Sequence, residues 1–285
     1  MEATVKAYLI GGDSREKYLA YQLERNGIEI IHPEQVDRLK DKKVDFIVLP
    51  TPVTMDRFTV KATEGQRKVT LKEVLEIAEK GQLVFGGMFP AEFRTELVEK
   101  GAIVADFMQM EDIAIQNAVA TAEGAIAEAV YMSNEVLHGQ EVLVLGYGRC
   151  AEVLADKLKG MAAKVTVMAR REEARARAWT FGNDNSTFDD LSQLGKYHFI
   201  FNTVPSMCIT REWIDRLNRY CCIIDIASKP GGTDFDYCSK KGIRAKLCGS
   251  LPGRYAPKTS GELLAQKIET ILKETKGYGY EEMPF

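Results

Sequence analysis

Histidine is scarce in this sequence. Only His32, His138 and His198 occur in 285 residues, and they lie far apart. No zinc-ligand spacing results, since zinc sites draw Cys and His at short, recurring intervals. The six cysteines, Cys150, Cys208, Cys221, Cys222, Cys238 and Cys248, contain no CxxC, so no metal is expected. No apolar run approaches the ~18 residues of a membrane span. The first residues lack the charged, apolar and small-residue regions of a secretory leader and read instead as a strand. Reduced thiols packed as small hydrophobes in a cytoplasmic protein are therefore expected. A basic excess is absent too: the net charge is −3, which argues against nucleic acid or an anionic membrane as partner.

What is present is an ordinary globular composition, 45% hydrophobic and 28% charged. A chain of this length suggests about two domains. The first part alternates strand and helix signals. Val5–Ile10 is apolar and ends in Gly11-Gly12-Asp13; residues 14–26 have helical spacing, and Gly27 closes them. Ile28–Ile31 and Val44–Pro50 read as strands. Thr54–Thr70 shows no period and reads as a long loop or hairpin. Leu71–Glu79 and Glu92–Lys100 read as helices, and Leu83–Phe85 and Ile103–Ala105 as strands. Such alternation implies a parallel sheet. A long helix is expected from about Ile113 to His138, interrupted by Gly124. His138 is read as a structural cation at its end.

A second alternating unit begins at Glu141. Val142–Leu145, Lys164–Met168, Phe199–Asn202, Ile223–Ile226 and Ile243–Cys248 read as strands, with helices at Ala151–Lys159 and Glu172–Phe181. A final amphipathic helix is expected from Gly261 to Thr275, then a frayed tail from Gly277.

The strongest chemical signal is the strand Val142–Leu145 followed by Gly146-Tyr147-Gly148-Arg149-Cys150-Ala151. This is G-x-G-x-x-A between a strand and a helix, the context in which a dinucleotide is bound. Gly146 permits the tight turn, Gly148 lets a pyrophosphate approach the backbone, and Ala151 lets helix and strand pack closely. The next strand should end in an acid if a free ribose 2′-OH is bound. Ala169 stands there, and Arg170 and Arg171 follow. Two guanidinium groups suit a 2′-phosphate, so NADP(H) is expected, with NAD(H) the alternative. Arg175 and Arg177 read as the solvated face of a helix. The strand ends at Thr203-Val204-Pro205 and at Ala227 would border ribose and nicotinamide, because ligands meet the carboxyl ends of parallel strands.

Five segments occur in one order. They are Gly11-Gly12-Asp13-Ser14-Arg15, Asn117 to Ile126, Gly146 to Cys150, Asn202-Thr203-Val204-Pro205, and Leu251-Pro252-Gly253-Arg254-Tyr255-Ala256-Pro257-Lys258-Thr259. Together they resemble the dipicolinate synthase A-subunit family of endospore-forming bacteria, over residues 5 to 272. The sequence departs from the family pattern at Ala120, where proline is expected. The resemblance implies NADP-dependent formation of pyridine-2,6-dicarboxylate from a hydroxy-tetrahydrodipicolinate of the lysine pathway during sporulation, with the flavoprotein-like B-subunit of dipicolinate synthase as partner. It also implies two Rossmann-like parallel-sheet domains flanking a cleft. The expected division is residues 1–115 as a flavodoxin- or Rossmann-like substrate domain, 116–138 as connector helix, 139–252 as NADP-binding domain, and 253–285 as a loop and helix crossing back to the first domain. A homo-oligomer is left open.

A dicarboxylate substrate needs cations or N–H donors. Gly12, Asp13 and Arg15, at the first glycine turn, and Gly124 and Arg254 are the candidate substrate contacts. Glu123, if desolvated, and Lys258 are the candidate acid–base residues. Two other readings compete. One is a 2-hydroxy-acid or alanine-type dehydrogenase, weakened because no histidine follows His198. The other is a non-catalytic NADP-binding protein.

Overall fold

The computed structural model describes residues 4–277. The chain divides into two compact units, one made of residues up to Ala114 and from Ala256 onward, the other of Ile115–Tyr255. The tail expected to fray lies, beyond Gly277, outside the described residues.

The first unit contains β1 (Lys6–Leu9), α1 (Ser14–Arg25), β2 (Glu29–Ile31), β3 (Phe46–Val48), α2 (Leu71–Ile77), β4 (Leu83–Gly86), α3 (Ala91–Glu99) and β5 (Ile103–Asp106). Its five strands are all parallel, in the order β2-β1-β3-β4-β5. Strand side chains alternate between faces. Ala7, Leu9, Phe46 and Phe85 pack on one side with Leu19 and Leu23 of α1. Tyr8, Ile47 and Val84 pack on the other with Val74 of α2 and Leu97 of α3.

The long helix α4 runs from Glu111 to Met132 without a break at Gly124. It ends six residues short of His138, which lies in a turn; Ser133 and Asn134 follow the last helical residue and favour turns over helix continuation. His138 therefore caps no helix.

The second unit contains β6 (Glu141–Leu145), α5 (Arg149–Gly160), β7 (Lys164–Met168), α6 (Glu172–Thr180), β8 (Asp184–Ser186), β9 (Phe199–Asn202), α7 (Arg211–Ile214), β10 (Cys222–Asp225), α8 (Phe235–Lys241), β11 (Arg244–Leu247) and α9 (Leu251–Tyr255). Six parallel strands run in the order β11-β10-β9-β6-β7-β8. Ala122, Ala125 and Ala129 of α4 pack with Leu154 and Leu158 of α5 on one face. Ile209, Trp213 and Cys238 cover the other. Four short elements, β8, α7, α8 and α9, have no counterpart in the sequence reading. Asp-Asn-Ser carries no apolar residue to mark a strand, and helices of four to seven residues are too short to show a period.

The last helix, α10 (Pro257–Gly277), starts four residues before the expected Gly261. It returns to the first unit and packs against α1, burying Leu264, Ala265, Ile268 and Ile271. Each large side chain so buried contributes about 1.5–3 kcal/mol. The two helices run in parallel: Gly261 lies against the carbonyl of Arg15, and Asn26 bonds to Glu269.

Strand order reverses between β1 and β3 in the first sheet and between β6 and β9 in the second. In open parallel sheets ligands bind in the crevice at the carboxyl end of such a reversal.

Candidate functional site

In the second unit the reversal is built from backbone. β6 runs into Gly146, whose φ of 89° is open to glycine but strained for other residues. A Cβ there would stand 2.5 Å from Thr203 Oγ1. Gly148 is the N-cap of α5 and has no side chain with which to occupy the helix N-terminus. A Cβ on Gly148 would meet nothing within 4 Å. The helix start is therefore open, and its N–H groups and positive dipole end suit an anion. These residues fit a dinucleotide pyrophosphate.

Two buried polar residues shape the neighbouring loops, and sequence reasoning gave neither a role. Asn202 and Asp225 are the last residues of β9 and β10 and pair in register. The Asn202 amide accepts from Val204 N at 2.9 Å and donates to Val204 O at 3.1 Å. Asp225 accepts from Ala227 N at 3.1 Å, Gly232 N at 2.8 Å and Thr233 Oγ1 at 2.8 Å. Thr203 Oγ1 donates to Leu145 O at 2.8 Å, tying the β9 loop to β6. Thr203, Val204 and Ala227 thus sit in loops whose shape is set from below; Pro205 is exposed.

The other expected cofactor residues divide into two groups. Tyr147 has a buried ring whose hydroxyl receives the Asn183 amide at 3.4 Å, so it offers backbone only. Cys150 is half-buried and burial pushes its thiol up, as expected of a packed thiol. Arg149 lies exposed on the first turn of α5. Ala169 is buried at the end of β7, while Arg170 and Arg171 are exposed beyond it. Arg170 NH2 donates to Ser206 Oγ at 3.2 Å. Arg171 is the N-cap of α6. Arg175 corrects its expectation: it is not a solvated face residue. Its NH1 donates to the carbonyls of Ala169 and Arg170, both at 2.8 Å, because the first turn of α6 brings it back over the strand end. Arg177 pairs with Glu152 at 2.6 Å.

In the first unit the reversal is filled with charge. Asp13 is the N-cap of α1 in a reciprocal capping box with Glu16. Arg15 is buried and grips Asp13 with two bonds, Nε to Oδ1 at 2.9 Å and NH2 to Oδ2 at 2.8 Å. The same NH2 donates to Thr51 O, just past β3, at 2.5 Å. Lys61 Nζ reaches Asp13 Oδ2 at 2.7 Å and is mostly shielded. Burial alone would raise the Asp13 pKa, but the bonds from Arg15 and Lys61 outweigh it and hold the carboxyl well below the usual range. Burial pushes the Glu16 carboxyl up. With both carboxyls ionised, Asp13, Glu16, Arg15 and Lys61 sum to zero formal charge. Lys61 is a third residue that sequence reasoning missed, after Asn202 and Asp225. It comes from the stretch without periodicity and is brought in by backbone, since Gly12 N donates to Lys61 O at 2.8 Å. Gly12 itself is buried in this turn.

Three expected substrate or catalytic residues need correction. Glu123 is not desolvated: its side chain is 58% exposed and pairs with Lys157 at 2.8 Å. The buried carboxylate of α4 is Glu128, which is 1% exposed. Lys246 Nζ donates to Glu128 Oε2 at 2.7 Å, and Arg254 NH2 lies 2.7 Å from Oε1 as a charge contact off the hydrogen-bond line. Arg254 thus has a carboxylate partner already. Gly124 is covered by Leu251 and Tyr255, with a Cβ position only 2.9 Å from the Tyr255 ring. It is a packing position, closed to substrate. Lys258 is exposed in the first turn of α10, 3.9 Å from Glu262. It precedes Gly261 by one turn, and so stands at the Arg15 end of α1.

Among the described residues no cluster of His, Cys, Asp and Glu could hold a metal ion, and no helix is long and apolar enough to cross a membrane.

The family model of the N-terminal domain of the dipicolinate synthase A-subunit matches residues 6–108. The dipicolinate synthase A-subunit of Bacillus subtilis (strain 168) is 30% identical over 286 residues, covering 95% of this chain and 96% of that protein. The crystal structure of the dipicolinate synthase A-subunit from Bacillus halodurans superposes with a TM-score of 0.83 at 29% identity, covering 95% of this chain and 99% of the other. A transhydrogenase from Sinorhizobium meliloti shares the fold at 15% identity and a TM-score of 0.67, covering 95% of each chain.

Proposed function

The chain belongs to the dipicolinate synthase A-subunit family, and on that premise we propose that it is a cytoplasmic NADP-dependent oxidoreductase of dipicolinate formation in sporulation. The substrate is a 4-hydroxy-tetrahydrodipicolinate or the dihydrodipicolinate it yields, and the B-subunit of dipicolinate synthase takes part. Loss of water and then of a hydride and a proton converts the hydroxylated ring to the aromatic pyridine-2,6-dicarboxylate. The observation that carries this reading is the open glycine turn at the strand reversal of the second unit, Gly146 to Gly148, where no side chain caps α5 and a Cβ on Gly148 would meet nothing within 4 Å.

A nicotinamide bound there supplies the hydride acceptor. The start of α5 binds the pyrophosphate, and the loops held by Asn202 and Asp225 flank the nicotinamide half. Ala169 in place of an acid, followed by Arg170 and Arg171, supports NADP(H) over NAD(H). In the first unit, Arg15 and Lys61 bind a substrate carboxylate. Asp13 serves by holding both cations in place. A dianion is costly to desolvate without such positive charge. Lys258, whose side chain is 68% exposed, lacks the burial that a proton carrier requires. Glu123 lacks the burial the role requires, and Arg254 is assigned to holding α9 through Glu128.

Fluorescence titration tests the cofactor assignment. One charge-assisted bond to a 2′-phosphate contributes ~1.5–3 kcal/mol, roughly one to two decades of affinity. NADPH should bind at least tenfold more tightly than NADH; equal affinities would reject the assignment.

A further inference from the structure

The arginines that follow β7 are not equivalent. The sheet order places β6 between β9 and β7. Adjacent strands lie about 4.8 Å apart, so the ends of β7 and β9 are separated by roughly 10 Å. Arg170 leaves the end of β7 and donates to Ser206, in the loop after β9. Its side chain therefore passes the carboxyl end of β6, the strand that leads into the Gly146–Gly148 turn. The backbone from which it starts is fixed, because Arg175 bonds the carbonyls of both Ala169 and Arg170. Arg171 is placed differently. It opens α6 as its N-cap, is exposed, and makes no side-chain bond among the described residues.

Resting on the dinucleotide reading above, we infer that the two arginines divide the cofactor between them. Arg170 crosses the glycine turn and binds the pyrophosphate, a group common to NADPH and NADH. Arg171 alone reads the 2′-phosphate. The chemistry fits the placement. The pyrophosphate is a dianion lying on the start of α5, where the helix offers about half a unit of positive charge. A guanidinium reaching over the same turn supplies a full charge and a planar donor fork for phosphate oxygens. Bonded to Ser206, the Arg170 guanidinium is directed toward the β9 loop and not outward from β7, where the adenosine ribose lies. Ser206 gives the guanidinium a resting partner when no phosphate is bound.

The test is titration of NADPH and of NADH, by nicotinamide fluorescence, into wild type, Arg170→Ala and Arg171→Ala. Both variants change exposed side chains, so folding is not at stake, and binding rather than turnover is read. The inference expects Arg170→Ala to weaken both cofactors at least tenfold and by similar factors. Arg171→Ala should weaken NADPH at least tenfold and leave NADH within about twofold. A loss in Arg170→Ala confined to NADPH would make Arg170 a 2′-phosphate ligand and overturn the division. So would unchanged binding in Arg170→Ala, or a loss in Arg171→Ala shared by both cofactors. Failure of the wild type to bind either dinucleotide would be a separate result, refuting the underlying cofactor reading and the division with it.

Discussion

The two sheets reverse their strand order in the same way and use the crevice so formed in opposite ways. At the β1/β3 reversal the space is occupied by side-chain charge, with Arg15 and Lys61 gathered on Asp13. At the β6/β9 reversal it is lined by backbone: a glycine turn, an uncapped helix start, and loops whose polar groups are satisfied from beneath by Asn202 and Asp225. The difference shows two solutions to binding an anion. Formal charges bring strength and demand internal neutralisation. Oriented N–H groups need none, but the loops around them must be held rigid by buried side chains.

The largest expected effect comes from removing such a support. Asp225→Ala strands Ala227 N, Gly232 N and the Thr233 hydroxyl without their acceptor. At about 1–3 kcal/mol per unsatisfied buried group, a loss of roughly 3 kcal/mol or more is expected in chemical denaturation, with dinucleotide binding falling alongside. A stable variant that still binds NADPH normally would show that the loops do not depend on Asp225.

Arg15→Ala attacks the other crevice. It should lower kcat/KM for the dicarboxylate by about 2–4 kcal/mol through loss of a buried charge partner, while the NADPH dissociation constant stays unchanged. Equal losses in both would erase the contrast between the units.

Acid sharpens the comparison further. The Asp13 pKa is lower in the folded chain than in the unfolded one. Its contribution is therefore complete above the unfolded value, about 4, and is lost as pH falls towards the folded value. Between about pH 6 and pH 3 the wild type should lose more unfolding free energy than Asp13→Asn. Parallel pH profiles would mean that the Asp13 pairing contributes nothing to stability.

The smallest effect is expected for Glu123→Gln. An exposed ion pair contributes only about 0–1 kcal/mol, so turnover should stay within about twofold of wild type.

Much of this was legible in the residues. Strand–glycine–helix order marked the second crevice because a tight turn and an open helix start constrain sequence directly. The choice between the carboxylates of α4 was also readable. The stripe Ala118, Ala122, Ala125, Ala129 marks the buried face, and at 100° per residue Glu123 lies about 160° from Ala125 whereas Glu128 lies about 60° away. The supports leave a trace as well. Asp106, Asn202 and Asp225 each end an otherwise apolar strand, Ile-Val-Ala-Asp, Phe-Ile-Phe-Asn and Cys-Ile-Ile-Asp. Asp106 accepts from Met88, Phe89 and Met108 N–H groups in the first unit, as Asp225 does from its own loop. Lys61 left no trace. It reaches Asp13 across 48 positions, through a stretch without period, and only the paired backbone of the two loops brings it there.

The most direct test of the oxidoreductase reading is simultaneous measurement of NADPH and dipicolinate with the chain, the B-subunit of dipicolinate synthase, NADP⁺ and hydroxy-tetrahydrodipicolinate. The two products should rise together in equal amounts, and Gly146→Val, which places side-chain atoms against Thr203, should abolish both. Dipicolinate formed at the full rate without NADPH, or undiminished in Gly146→Val, would contradict that reading.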